Sequence, residues 1–296
     1  MTFRALLKLA RIPNVFTAFA NAIAGVLIVR AGAFELRDLL LVLASGALYV
    51  AGMVLNDFFD RRVDAVERPG RPIPAGEVGA GAAALLGGVL MAAGIGLSAL
   101  HNPRSLAVAL GLSVAILIYD GAVKSTLIGP FAMASCRFLN VLLGLSAAWP
   151  EGLLWLQPLA MGLFTLFITV LSRDEVLGGG LERVRVVVLG LALAAVLLAG
   201  SLVPFSAMTS SGGKTFGLAC ALPFLLYLVV RGVQNFRPLW HDASGPIIGR
   251  SIGGGILLMP AIDATFVAAA GIPLGALLVI ALTVPAAWLK RWYYLT

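Results

Sequence analysis

The residues best suited to chemistry lie in one short run, Asn56-Asp57-Phe58-Phe59-Asp60-Arg61-Arg62-Val63-Asp64. On a helix turning about 100° per residue, Asp57, Asp60 and Asp64 fall within an arc of about 60°, with Asn56 one turn below Asp60. Three like charges on one face repel each other, and at the mouth of a membrane protein they are costly to desolvate. A divalent cation offsets both costs. Carboxylate oxygens suit Mg²⁺, which keeps part of its coordination shell for water and phosphate oxygens. The simpler alternative is a solvated helix end whose aspartates pair with Arg61, Arg62 and Arg68. The next stretch, Glu67-Arg68-Pro69-Gly70-Arg71-Pro72-Ile73-Pro74-Ala75-Gly76, has three prolines and two glycines and cannot continue a helix. It predicts a stiff loop that holds Arg68 and Arg71 near the aspartates. Guanidinium groups match phosphate oxygens in geometry, so the combination points to a lipid-linked diphosphate.

Further along, Asp174 and Glu175 form a second acidic pair. Adjacent residues differ by about 100° on a helix, so both face one ion only if the helix breaks, and Gly178 to Gly180 could supply that break. Tyr119, Asp120 and Lys124 close the fourth apolar segment. Lys124 is a candidate diphosphate contact or a membrane-surface anchor, and Asp120 a further acidic ligand or a partner for Lys124. Arg137 and Asn140, three apart, share one face inside an apolar segment. A charge there faces the bundle interior or a wet cavity. At about nine residues from the segment's end, Arg137 is ~14 Å deep, suited to a phosphate or acceptor contact or to a structural pair with a buried carboxylate. Asp263, nearer the opposite side, reads as structural. His101 and His241 have no partner at metal spacing, and Cys136 and Cys220 read as small buried hydrophobes.

Positioning these groups is a matter of membrane helices. Of 296 residues, 60% are hydrophobic and 12% charged, against about 25% charged in a soluble domain. A crossing helix needs about 20 apolar residues. Ten segments qualify, near 12–30, 38–56, 79–99, 104–120, 128–149, 155–172, 185–204, 215–231, 246–268 and 272–289, and one of them could be re-entrant. The expectation is an all-α polytopic transmembrane bundle of nine or ten spans, with residues 1–296 forming a single integral membrane domain and no cleavable signal peptide. The net charge of +7 would suggest nucleic acid in a soluble protein. Here sixteen Lys and Arg fall on one side of the spans and four on the other, which topology explains without nucleic acid. The positive-inside rule makes the richer side cytoplasmic, with both termini there. Four crossings separate the two acidic patches, so they share that face. No phosphate-loop motif occurs, and the glycines read as helix-packing positions.

The run NDxxDxxxD followed by RPxPxG resembles the first signature of the UbiA superfamily of intramembrane prenyltransferases, and Arg11-Ile12-Pro13-Asn14 is similar to the start of that family's first helix. The pair Asp174-Glu175 is thinner than the family's usual second aspartate motif and closer to the divergent EboC-like branch. Tyr119 and Lys124 stand one residue further apart than in the family's pattern. The resemblance implies Mg²⁺-dependent transfer of a prenyl group from a polyprenyl diphosphate to an aromatic or other lipophilic acceptor. Catalysis would fall to Asp57, Asp60, Asp64, Asp174 and Glu175. The metal would be held by Asp57, Asp60, Asp64 and Asp174, and substrates by Asn14, Asn56, Arg68, Arg71, Tyr119, Lys124, Arg137 and Asn140. The expected location is a bacterial inner (plasma) membrane with the site on its cytoplasmic face. The alternatives are a membrane transporter and a homologue that binds lipid diphosphate without catalysis.

Overall fold

A computed structural model describes residues 3–177 and 180–293. Among them the helices are α1 (Phe3–Leu9), α2 (Ile12–Val29), α3 (Leu39–Glu67), α4 (Ala80–His101), α5 (Pro103–Ile118), α6 (Gly129–Leu145), α7 (Leu156–Leu177), α8 (Leu181–Thr209), α9 (Lys214–Phe236), α10 (Gly245–Ala269), α11 (Pro273–Ala281) and α12 (Thr283–Tyr293), with no strand among the described residues. Proline opens α2, α5, α6, α10 and α11, at positions whose N–H groups have no helical partner anyway. Nine segments of the described residues are long and apolar enough to cross a membrane, α11 and α12 counting together. The tenth expected segment is α6, whose 17 residues reach ~25 Å. The protein is an integral membrane helical bundle.

The apolar segment that ends near residue 56 is part of a longer helix: α3 runs 29 residues to Glu67, where the proline-rich stretch begins. Nothing between Asp57 and Glu67 breaks a helix. Pro69 then disfavours helical geometry at Arg68, whose φ of −142° and ψ of 61° end α3. The acidic run therefore rides on a helix that projects well past its apolar part.

The central helices are α2 and α10, 72% buried across their apolar windows, whereas α8 and α9 are 22% buried and face outward. The exposed side chains of α4, α8 and α9 are largely apolar, among them Leu85, Val89, Leu193, Val196 and Leu226, as a lipid-facing surface requires. Helices α2 and α6 touch backbone to backbone. A Cβ on Gly25 would stand 2.7 Å from the Leu145 nitrogen, and one on Gly144 would collide with the backbone of Ala22. Small residues permit this approach, and it brings the polar residues of α2 against those of α6. At the opposite end of the bundle from α3's acidic run, His101 is the buried last residue of α4, with Nε2 3.0 Å from Asp38 Oδ1. Arg30 Nε lies 3.2 Å from the other oxygen of Asp38, and the Asn102 side chain accepts from the Ser105 N–H to cap α5. These bonds tie the ends of α2 to α5 together, a structural role.

Candidate active site

A cavity of about 890 Å³ runs between α2, α3, α5, α6, α7 and α10, with ionic groups at one end and mostly apolar walls beyond. Its ionic end is built around Asp57, which is 4% exposed. Asp57 Oδ1 accepts from Arg11 Nη2 at 3.0 Å and from Arg71 Nη1 at 3.1 Å. The same Arg71 nitrogen donates to Asp64 Oδ2 at 2.7 Å, so one guanidinium joins two buried carboxylates a helical repeat apart. Arg11 reaches Asp57 from the break between α1 and α2, where its φ of 45° and ψ of 50° lie in the left-handed region, rare for a non-glycine residue. The proline-rich loop folds back on itself: Arg71 N–H donates to Arg68 O and Val78 N–H to Pro72 O. Arg68 and Arg71 both line the cavity.

The second wall comes from the end of α5. Residues Tyr119–Val123 form a π-helical turn, closed by the Lys124 N–H donating to Tyr119 O at 3.1 Å. A π turn accommodates one extra residue in a helix, which is how the long Tyr119–Lys124 spacing is absorbed. The Lys124 ammonium meets Asp60 Oδ2, and Asn56 Nδ2 donates to Asp120 Oδ1 at 2.8 Å. Arg173 of α7 donates to the carbonyls of Lys124 and Thr126 and fixes this segment from outside.

The single-face triad expected from spacing is thus divided. Asp57 and Asp64 share Arg71, while Asp60 turns to Lys124. Each carboxylate is drawn to the nearest cation, and no three His, Cys, Asp or Glu side chains converge on a metal position among the described residues. Among the described residues, pairing with Arg61, Arg62 and Arg68 does not form in its place: Arg61 donates to the Phe58 carbonyl and sits 4.4 Å over the Phe58 ring. On the far wall Glu175 lines the cavity, its carboxylate occupying space that Gly249 leaves open on α10. The side chain of Asp174, and Gly178 and Gly179, lie outside the described residues.

Deeper in, Arg137 donates to Thr17 Oγ1 (3.1 Å) and Asn21 Oδ1 (3.3 Å), and its guanidinium lies 5.2 Å from the Tyr49 ring centre. Asn140 Nδ2 donates to the same Asn21 oxygen, and Asn140 Oδ1 accepts from Ser45. Asn21 Nδ2 donates at 2.5 Å to Asp263 Oδ2, whose other oxygen accepts from Gln157 at 3.0 Å. The buried carboxylate expected beside Arg137 therefore exists, but Asn21 stands between them.

Residues 18–248 match the UbiA prenyltransferase family. The chain belongs to that family. UbiA relatives include a digeranylgeranylglyceryl phosphate synthase of Methanothrix thermoacetophila, 30% identical over 268 residues, covering 86% of this chain and 96% of the relative. Another, from Saccharolobus solfataricus, is 31% identical over 180 residues, 60% of this chain. The match spans 63% of the length of that Saccharolobus relative. Among solved structures, a UbiA homologue of Aeropyrum pernix superposes with a TM-score of 0.66 at 17% identity, covering 85% of this chain and 96% of that one. A UbiA homologue of Archaeoglobus fulgidus bound to GPP and Mg²⁺ gives 0.60 at 16%, covering 86% and 99%. These likenesses establish the UbiA fold, and the relatives named are archaeal.

Of the residues singled out by sequence, Asn14, Asp57, Arg68, Arg71, Tyr119, Asp120, Arg137, Asn140 and Glu175 line this same cavity. Asp64, Asp60, Lys124 and Asn56 flank it through Arg71 and Asp120. Sequence reasoning passed over Arg11, Tyr49, Thr17 and Asn21. Arg11 entered the sequence reading only as the first residue of the RIPN opening, with no role at the site. Asn21 and Thr17 are polar residues inside a span, the same signal that marked Arg137.

Proposed function

We propose that this chain transfers a prenyl group from a polyprenyl diphosphate to a lipophilic or aromatic acceptor inside the membrane, at a site opening on the cytoplasmic face. The observation that carries this reading is a single cavity whose mouth combines carboxylates with Arg11, Arg68 and Arg71 and whose walls beyond are apolar. That combination suits an amphiphile with a diphosphate head and a hydrocarbon tail. The donor set fits Mg²⁺: all the acidic ligands are hard carboxylate oxygens, and two buried ones, Asp57 and Asp64, already share one cation. Asp57, Asp60 and Asp64 would hold the metal, with Asp174 and Glu175 from α7. When bound, Mg²⁺ offsets negative charge on the departing diphosphate.

The protein's own groups do the rest. Arg68 and Arg71 bind the diphosphate oxygens through charge-assisted hydrogen bonds, and Arg11 and Lys124 add positive charge near the departing group. The C1–O bond breaks with its electron pair leaving on the diphosphate. The acceptor's nucleophilic atom forms the new bond to C1 and gives up a proton. Leu112, Ile116, Ile252, Ile256 and Met259 keep the cavity wall apolar, which limits capture of the allylic cation by water.

The test is incubation of membranes carrying the protein with labelled geranylgeranyl diphosphate, with and without Mg²⁺. A labelled lipid product that requires Mg²⁺, and that disappears in Asp57→Ala and Asp60→Ala while membrane insertion is unchanged, supports the reading. Normal activity in both variants overturns it, and Mg²⁺-dependent binding with no product identifies a non-catalytic homologue.

A further inference from the structure

We propose that a lateral groove between α7, α8, α9 and α10 binds one membrane lipid, with the lipid's anionic phosphate head at Arg237 and a hydrocarbon chain filling the groove. The groove encloses about 580 Å³ and lies on the far side of the α7–α10 pair from the prenyl-transfer cavity. No residue lines both. On α7, Phe164 lines the groove and its neighbour Thr165 the cavity. On α10, Leu258 and Ile262 line the groove, and Ile256 and Met259 the cavity. The proposal therefore stands apart from the transfer reading.

The walls select a hydrocarbon chain. Every lining residue apart from Ser201 and Arg237 is apolar, and the Ser201 hydroxyl is spent on the Leu198 carbonyl at 2.7 Å. Water in such a space finds no hydrogen-bond partners, and empty space forfeits dispersion contacts. The groove opens sideways, with Val196, Val229 and Val233 exposed along it, on the helices that face lipid. On α9 its wall runs from Leu225 to Arg237, twelve residues or ~18 Å. On α8 it runs from Val188 to Ser201, thirteen residues or ~20 Å. One leaflet supplies about half of a hydrocarbon core ~30 Å thick, so the groove is long enough for a lipid chain of one leaflet.

Charge placement then fixes where the head lies. Among the described residues, Arg237 is the only charged residue that lines the groove, and it stands at one end. It is exposed, and its guanidinium makes no ion pair or hydrogen bond among the described residues. Arg185, by contrast, pairs with Glu182 and lies 5.4 Å from the Trp240 ring centre. Arg237 opens the turn Arg237–Trp240 that leads toward α10, whose Gly249 borders the Glu175 carboxylate. The charged end of the groove is therefore on the same side of the bundle as the ionic mouth. A guanidinium at the level of the head groups, above an apolar trough, is complementary to a phosphate on a hydrocarbon chain. A prenyl diphosphate with its metal is a poorer match, because no carboxylate among the described residues lines the groove to hold the cation.

Native mass spectrometry of the full chain in detergent, offered equal amounts of phosphatidylglycerol and phosphatidylcholine with the same chains, reads the retained lipid. The parent should hold one phosphatidylglycerol with a preference of about fivefold over phosphatidylcholine, the scale of one arginine acting on an anionic lipid. Arg237→Gln should remove that preference. Gly232→Leu should lower retention of both lipids. A Cβ at Gly232 meets nothing within 4 Å, so the leucine fills the groove without a clash. It also favours the helix, so this variant should fold. Equal retention of the two lipids by the parent, a preference that survives Arg237→Gln, or undiminished retention in Gly232→Leu overturns the proposal. So does displacement of the lipid by inorganic phosphate, which would make Arg237 a plain anion site. A dimer that is lost in Gly232→Leu would assign the groove to a second copy of the chain and overturn it equally.

Discussion

At the scale of single residues, Arg71 is the keystone of the mouth because one of its nitrogens serves both Asp57 and Asp64. Removing one partner of a buried ion pair leaves an uncompensated charge. Arg71→Met should therefore lower stability by roughly 3 kcal/mol, the low end because Arg71 is partly exposed and Arg11 still supports Asp57. Thermal unfolding in detergent would measure the loss. Adding Mg²⁺ should restore part of it if the metal takes the place of the guanidinium, and no recovery would count against the metal assignment. The aspartates were legible in the sequence because helical periodicity alone puts them on one side. Their division between Arg71 and Lys124 was not, because it depends on cations arriving from a loop and from another helix. Arg11 illustrates the same limit: its reach to Asp57 comes from a left-handed backbone turn that no periodicity signals.

At the scale of elements, the π turn at Tyr119–Val123 makes a local insertion functional. Deleting Ala122 should return the turn to α geometry, rotate Lys124 by about 100° about the axis and detach it from Asp60. Turnover should fall by about tenfold or more, and Lys124→Ala should resemble the deletion. Equal activity of deletion and parent would show that the turn is incidental. The irregular Tyr–Lys spacing was visible in the sequence, but whether a loop or a widened helix absorbs it is decided by packing. The seam between α2 and α6 depends on Gly25 and Gly144. Gly144→Ala should destabilise by about 1–3 kcal/mol and, by separating the helices, loosen the contact of Arg137 with Thr17 and Asn21. The sequence offered both glycines as packing positions without saying which helices they join.

At the scale of the molecule, hydropathy was enough to find the apolar helices, since each rests on about 20 residues acting together, and the charge bias predicts their sense. Hydropathy marks only the apolar part of α3; its charged extension to Glu67 is legible from the aspartate spacing and from Pro69, which marks the stop. The orientation is testable. In a background with Cys136 and Cys220 changed to serine, a membrane-impermeant maleimide should label Ser211→Cys in intact cells and Ala75→Cys only after permeabilisation. The reverse pattern would invert the topology. A last consequence follows from the mouth's ion pairs. Asp57, Asp60 and Asp64 face Arg11, Arg71 and Lys124, an electroneutral set at rest. A polyanion arriving alone must compete with the carboxylates for the basic groups, and a dication alone must compete with the basic groups for the carboxylates. Arriving together, each releases the partner the other needs, so occupancy by head group and metal should be cooperative, with neither saturating readily on its own.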